Sequence, residues 1–452
     1  MLGWVHGVAA WLTSIPWIAH TLQSYGGLPG PVSFALLLGV ALYLGLYRAL
    51  FGVLGAIAWR RGGWRALLGV PAAWVAVEWL RTWFLEGFPW NLAAYAWTDL
   101  PGALPFSAFG GALGVSFLLL FFQVGCALAI AEKRWKWFLA ALLVSLSPMV
   151  AIQLKGGTEP ESSTATSTTA SPVRLLQPNI TNAIDLQWEE IFRNYNKVLS
   201  QSYEACDEPG ALLLWPESAA WPFEFDSPTG DQRLRSDLEA LNRAGCPVLF
   251  NSPHTAADGG IFNSAFLLSP GGKVERYDKR KLVPWGEFVP LRDLFPWVGR
   301  LARSAGDFRA GKSHSLLTWG QERIAVGICY EVVFPQETAA AVRAGATLLA
   351  SGSNDAWYGN SAARAQLFRA ARFRAAENRR LLLRSAITGI SGLIGPEGEV
   401  LARLGEDEEG ALAISVAGRR DLSPYTRFPG LTPVLCGLFL AFAIVRRSRR
   451  ET

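Results

Sequence analysis

Ile324-Ala325-Val326 runs straight into Gly327-Ile328-Cys329-Tyr330-Glu331. The apolar run predicts a buried strand of an α/β sheet, and Gln336 to Arg343 beyond it predicts a helix. Cys329 therefore stands at the carboxyl end of a strand, where ligands and reacting groups gather in such sheets. A small buried hydrophobe is the plainer use of a free cysteine. Near the head of a helix, though, a thiolate is favoured and adjacent backbone N–H groups can hold an oxyanion. What else the chain supplies decides between the two.

Working outward, short apolar runs alternate with helical patterns from residue 172 onward. Val173–Gln177, Ala211–Trp215, Pro247–Asn251, Ala346–Ser351 and Leu381–Ile387 predict further buried strands. Asp185–Tyr203, Asp231–Ala244 and Ala362–Arg380 predict helices. Phe262–Leu268 and Ala411–Ser415 alternate in polarity, which implies a mixed sheet. The expected architecture is sheets covered by helices. Gly156 to Ser171 is rich in Ser, Thr and Pro and forms a linker.

The remainder is too apolar for a soluble globule. The 452 residues are 50% hydrophobic and only 17% charged, with 19 Trp. No Asp, Glu, Lys or Arg occurs from Met1 to Tyr47, Leu100 to Ala131, Trp137 to Leu154 or Phe428 to Val445. Membrane spans are expected near 3–22, 33–58, 65–85, 110–131, 136–154 and 430–446. The third carries Glu78 and Arg81 at i, i+3, either as a helix ion pair or as an intramembrane functional site. Arg60, Arg61, Arg65, Lys133, Arg134, Lys136 and the arginines after residue 445 all fall on one side, whereas loops 23–32 and 86–109 hold no Lys or Arg. The positive-inside rule then places both termini in the cytoplasm and residues from about 156 to 428 outside. The net charge of +5 is mostly this bias, so it is no footprint of nucleic acid. No basic n-region or cleavage site marks a signal peptide. Cys206 and Cys246 can bridge in an oxidising compartment. With four His and no His cluster, no metal centre is expected.

Two further stretches match Cys329. Leu212-Leu213-Leu214-Trp215 leads into Pro216-Glu217-Ser218, a carboxylate at a strand end, either a general base or a solvated loop residue. Tyr277-Asp278-Lys279-Arg280-Lys281-Leu282-Val283-Pro284-Trp285-Gly286-Glu287-Phe288-Val289-Pro290 is a basic cluster running into apolar and aromatic residues. A lysine buried there beside Cys and Glu balances charge and holds a developing oxyanion.

Glu, Lys and Cys in that order resemble the triad of the nitrilase, or carbon–nitrogen hydrolase, superfamily. The whole chain resembles the apolipoprotein N-acyltransferases, most specifically at Gly87-Phe88-Pro89-Trp90-Asn91, Tyr277–Pro290, Ile328–Glu331 and Asn354-Asp355-Ala356-Trp357-Tyr358-Gly359. The resemblance implies a multi-span helical bundle plus an αββα sandwich. The expected division is a five-span region at 1–155, the linker at 156–171, a periplasmic catalytic domain at 172–420, a last span at 428–446 and a basic tail at 447–452. It further implies Glu217 as base, Lys279 rather than Lys281 as the triad lysine, and Cys329 as nucleophile. Tyr330, Glu287 and Glu331 become supporting residues, and Trp188, Trp285 and Trp357 substrate-binding ones. The implied reaction carries an acyl chain from a phospholipid, phosphatidylethanolamine by expectation, through a Cys329 thioester to the α-amine of diacylated apolipoproteins. The expected setting is the bacterial inner membrane, as a monomer without cofactor. Phe295-Pro296-Trp297-Val298 is expected to be a lid or interfacial anchor, or else plain core.

The chain also departs from that pattern. Family members open with another helical pair, so either the start lies upstream or the bundle has five spans plus one. Leu367 stands where the family has His after Gln366, and Ile387 replaces the Asn of its Arg-x-x-Asn-Thr-Gly stretch. Two other readings use the same residues. A membrane-tethered amidase would replace the amine with water, and a scaffold would use the domain for interactions alone.

Overall fold

The computed structural model describes residues 1–156, 170–180, 186–226, 232–288 and 307–445. Residues 157–169 of the linker, the Phe295–Val298 segment and the basic tail lie outside them. The chain opens with a helical region: α1 (Leu2–Ser14), α2 (Trp17–Ser24), α3 (Gly30–Trp59), α4 (Gly63–Arg81), α5 (Ala103–Ala131) and α6 (Trp135–Gly156). Among the described residues α3, α5 and α6 are long and apolar enough to cross a membrane. The segment 3–22 is not the single helix expected from its apolar run. It breaks at Ile15-Pro16, because proline has no N–H to donate and its ring disfavours helical geometry in the residue before it.

The Glu78–Arg81 pair takes the structural role. The two side chains are buried 3.7 Å apart. Glu78 accepts the Ala93 N–H at 2.8 Å, and Arg81 donates to the carbonyls of Phe88 and Trp90. The ion pair thus fixes the loop after α4 that carries Gly87-Phe88-Pro89-Trp90.

The second region alternates strands and helices: β1 (Ser171–Gln177), α7 (Trp188–Ala205), β2 (Leu212–Leu214), α8 (Arg233–Arg243), β3 (Val248–Thr255), β4 (Ile261–Ser269) and β5 (Lys273–Asp278). It continues through β6 (Leu317–Trp319), β7 (Glu322–Ile328), α9 (Pro335–Arg343), β8 (Leu348–Ser353), α10 (Ala363–Asn378), β9 (Leu382–Ala386), β10 (Gly392–Ile394), β11 (Val400–Arg403) and β12 (Gly410–Val416). The short helix α11 (Pro424–Arg427) then leads to α12 (Leu431–Val445). One sheet runs β12-β1-β2-β3-β4-β5 and the other β11-β10-β9-β8-β7-β6. Both are mixed: β1, β2 and β3 are parallel, as are β7, β8 and β9.

Side-chain alternation builds the layers. Leu212 and Leu214 pack with Leu175, Ile324, Leu348 and Leu383 between the two sheets. Leu213, pointing the other way, packs with Val198 and Leu238 under α7 and α8. On the second sheet Ala325 and Leu349 pack outward with Val342 of α9 and Phe373 of α10. Both faces of each sheet are covered, which is why these strands are nearly continuous apolar runs. The α9 and α10 layer continues into the core of the helical region, through Leu37, Trp90 and Leu104. At that junction α5 breaks at Gly111, and the freed Ala112 N–H is taken by Glu377 of α10 at 2.7 Å. Glu377 is itself paired with Arg374 at 2.8 Å, both fully buried. Cys206 and Cys246 form a disulfide between the end of α7 and the turn before β3.

Candidate active site

Three strand ends carry the charged and nucleophilic groups. β2 leads through Trp215-Pro216 to Glu217, β5 stops before Lys279, and β7 stops before Cys329. The first two belong to one sheet and the third to the other, so the site forms where the sandwich layers meet. Gly352 in β8 permits the close approach: a Cβ there would lie 3.3 Å from the Trp215 carbonyl oxygen and 3.4 Å from the Glu217 nitrogen.

Lys279 Nζ donates to Glu217 Oε1 at 3.2 Å and to Glu287 Oε1 at 2.9 Å. Asn263 Nδ2, from β4, bridges the same two oxygens at 3.0 and 2.6 Å. Asn251 of β3 orients Asn263 by donating to its Oδ1 at 2.6 Å. The second oxygen of Glu217 accepts the Asn354 N–H at 3.2 Å, and that of Glu287 accepts the Val283 N–H at 2.8 Å. Glu217 is 5% exposed and Lys279 1%. Burial by itself would lower the lysine pKa. The carboxylates of Glu217 and Glu287, and Cys329 beyond them, outweigh it and hold the ammonium above the usual lysine range.

Cys329 takes a left-handed backbone, φ +48, and opens a short 3-10 turn, Cys329–Val333, ahead of α9. That conformation costs a non-glycine residue roughly 1–2 kcal/mol, and such strain collects at functional sites. The expectation that a helix N-terminus favours the thiolate does not hold. The 3-10 turn stands between the thiol and α9, and burial, reinforced by the charges of Glu217 and Asp355, pushes the thiol up to about 12 despite Lys279. At neutral pH the resting group is S–H, and a base must take the proton as the thiol reacts.

Glu331 clamps the lysine loop to the cysteine turn. Its Oε1 accepts from Tyr277 OH at 2.8 Å, Arg280 N at 2.7 Å and Lys281 N at 3.1 Å, and its Oε2 accepts from Ile328 N at 2.8 Å. Glu331→Ala would leave these donors unpaired, and an unsatisfied buried group costs roughly 1–3 kcal/mol. We predict a fall in Tm of several degrees, measured by calorimetry in detergent, together with loss of reactivity at Cys329. An unchanged Tm would remove the clamp role.

The aromatic candidates separate. Tyr330 is buried, its ring stacked on Trp90 at 6.2 Å. Trp90 Nε1 donates to Gln366 Oε1 at 2.6 Å, and Gln366 Nε2 reaches the Ser14 carbonyl at 2.9 Å, tying α10 to the end of α1. Trp357 packs against Tyr25, just after α2, at 4.6 Å. Trp285, half-exposed at φ +67, heads the turn closed by its N–H to the Phe288 carbonyl. Trp188 opens α7 beside Phe192 at 6.0 Å, and it is not among the residues bonded to the Glu217–Lys279–Cys329 group. Leu367 and Ile387, the two departures, are fully buried core. Asn263, Ser353 and Tyr358 were not singled out from sequence. A lone Asn within an apolar strand was the available clue for the first.

Family models match in two parts. Residues 1–125 fit the apolipoprotein N-acyltransferase N-terminal domain and residues 173–421 the carbon–nitrogen hydrolase domain. A Geobacter metallireducens protein named apolipoprotein N-acyltransferase is 34% identical over all of this chain and 87% of its own length. A Chromobacterium violaceum protein of the same name is 33% identical, over 100% of this chain and 86% of its own. Among solved structures, Saccharomyces cerevisiae Nit3, a member of branch 10 of the nitrilase superfamily, is similar with a TM-score of 0.43. It is 16% identical, covering 62% of this chain and 97% of that one.

Proposed function

The chain belongs to the apolipoprotein N-acyltransferase family, a family of membrane acyltransferases, and from that premise we propose how its residues move an acyl chain from lipid to lipoprotein. The observation that carries the reading is one buried ammonium, Lys279, shared by two carboxylates beside the Cys329 thiol. Glu217 takes the thiol proton as sulfur attacks the ester carbonyl of a phospholipid, with phosphatidylethanolamine as the proposed donor. Lys279 and the Tyr330 N–H stabilise the tetrahedral oxyanion. As the ester C–O bond breaks, Glu217 returns the proton to the departing lysophospholipid, leaving a thioester. The α-amine of a diacylated N-terminal cysteine then attacks. Its C–N bond forms, the C–S bond breaks, and Glu217 passes the amine proton to sulfur. Glu287 holds Lys279 and the 280–287 loop in place. Trp285 and Trp357 are proposed to contact lipid, and Trp188, placed away from the triad, to act only on a large acceptor. One chain carries the whole group, in keeping with a monomer. A membrane amidase would use the same three residues, but the match of the whole chain to acyltransferase relatives disfavours it.

We place the catalytic domain on the periplasmic side of the inner membrane, with helical regions 1–155 and 428–446 as its anchor and 156–171 as linker. The Lys/Arg-free loops support this, as does the Cys206–Cys246 disulfide, which belongs in an oxidising compartment. Reporter fusions within Gly156–Ser171 are expected to report periplasm, and fusions after Thr452 cytoplasm. A cytoplasmic signal at the linker would overturn both the orientation and the substrate assignment. The reaction itself is tested by intact-mass spectrometry of protein incubated with phospholipid. An acyl increment that maps to Cys329 is the expected result.

A further inference from the structure

Two hydroxyls converge on the sulfur of Cys329, Ser353 Oγ at 3.5 Å and Tyr358 OH at 3.9 Å. A hydroxyl has one proton to give. Ser353 has a second partner: its Oγ donates to Asp355 Oδ1. Asp355 is in turn paired with Arg384 at 2.7 Å, and neither side chain is exposed. Ser353 thus has one proton for two acceptors, Asp355 Oδ1 and the sulfur, and the carboxylate competes for it. Tyr358 differs. It is buried, and among the described residues the sulfur is its hydrogen-bond partner.

We propose that the Tyr358 hydroxyl is a further catalytic hydrogen-bond donor, aimed at the Cys329 sulfur and active at the steps where that sulfur carries negative charge. A neutral thiol is a weak acceptor, and 3.9 Å is long for a bond to it. A thiolate is a strong acceptor, so the contact tightens as charge builds during attack on the ester and again during expulsion from the thioester. An interaction stronger in the transition state than in the ground state is the kind that accelerates a reaction. The phenol keeps its proton throughout, because burial first and the Cys329 and Asp355 charges next hold it well above the usual tyrosine range. The groups that face the sulfur are then Glu217 from the end of β2, Lys279 from the end of β5, and Asp355, Tyr358 and Ser353 from the end of β8 and the turn after it. Of these, Lys279 offers its charge, Ser353 a proton that Asp355 competes for, and Tyr358 a hydroxyl aimed at the sulfur.

The helical region sets this tyrosine in place. The turn that carries it, Asp355–Tyr358, is held by Thr21 Oγ1 on the Trp357 carbonyl at 2.9 Å and by Tyr25 OH on the Ala356 carbonyl at 2.8 Å. The Tyr358 ring stands edge-on to Trp17 at 5.0 Å. All three contacts come from α2 and the residue that follows it. The break at Pro16 therefore turns what would be the outer end of a span into one wall of the site.

The inference rests on the acyl-transfer reading for its second half, and the test separates the two. Tyr358→Phe removes one oxygen and keeps the ring. Alkylation of resting enzyme by iodoacetamide is followed from pH 7 to 10, with peptide mapping to separate Cys329 from Cys126 and Cys436. The variant should alkylate Cys329 several-fold more slowly across that range, as a hydrogen bond to a charged partner is lost. Acyl-enzyme formation from phospholipid should slow about tenfold, with Tm unchanged. Ser353→Ala, which removes a hydroxyl whose proton Asp355 competes for, should leave alkylation nearly unchanged. Wild-type rates in Tyr358→Phe would overturn the proposal, and so would a fall in alkylation in Ser353→Ala as large as in Tyr358→Phe. If Tyr358→Phe does not fold, a several-fold fall in alkylation in Ser353→Ala would by itself overturn the proposal, by making Ser353 the donor. Alkylation needs no lipid, so failure of wild-type protein to take an acyl group would count against the proposed reaction and leave the sulfur donor still measured.

Discussion

Glu217→Gln is expected to abolish acylation of Cys329, whereas Glu287→Gln leaves a measurable remnant. The two carboxylates look alike at first, since both accept from Lys279 and from Asn263. Their remaining oxygens separate them. Glu287 spends its second oxygen on the Val283 N–H, inside its own loop, and so reads as a brace for the loop and the lysine. Glu217 is rooted at the end of β2 and accepts the Asn354 N–H, from the segment that also carries Asp355 and Tyr358. An amide at 217 cannot take a proton. The thiol, still raised by burial, is left with no base to take its proton. An amide at 287 keeps one oxygen for either Lys279 or Val283, which weakens the brace without removing the base. Lys279→Ala should fall between the two, slowing acylation on the order of 10²–10³-fold as an oxyanion donor is lost. Single-turnover acylation followed by intact mass separates the three. Near-normal acylation in Glu217→Gln would mean the base has been misassigned.

The chemistry was more legible in the sequence than its setting. The apolar runs Leu212-Leu213-Leu214 and Ile324-Ala325-Val326 were enough to place buried strands, because burial on two sides leaves no polar face. Glu217 and Cys329 could be put at strand ends for the same reason, whereas β5, ahead of Lys279, is mostly polar and shows no such run. What local pattern cannot supply is which strand ends meet, since β5 and β7 join across different sheets. The short strands β6, β10 and β11 also escaped, having too few residues to show a period. The direction of the thiol's pKa was misread because a helix end is visible in sequence and burial is not. Asn263 and Tyr358 act through neighbours far away in the chain. The Tyr358 turn is set by Thr21 and Tyr25, more than 330 residues earlier.

Phospholipid alone should drive the enzyme half-way and stop it there. Both proposed substrates are lipids, too bulky to share one site with their reacting carbons at the same sulfur, and a nucleophilic thiol divides such a transfer into two easier steps. The first step needs only the donor. The second needs an amine, and water is a poor substitute where the groups are as enclosed as Cys329 at 4% exposure and Lys279 at 1%. A stable mass increment on Cys329 should therefore accumulate and persist after lysophospholipid has left. Adding a peptide with a diacylated N-terminal cysteine should discharge it, and the acyl group should appear on the α-amine. The same peptide with its amine blocked should leave the thioester intact. Cys329→Ser should show little turnover, because an alkoxide is far harder to form than a thiolate under one carboxylate base. With both substrates varied, reciprocal plots should run parallel, as expected when one product leaves before the second substrate binds. Intersecting lines with no isolable acyl-enzyme would point to a ternary complex and remove the thioester from the scheme. A thioester lost rapidly to water would return the amidase reading, with the same Glu217, Lys279 and Cys329 serving a different acceptor.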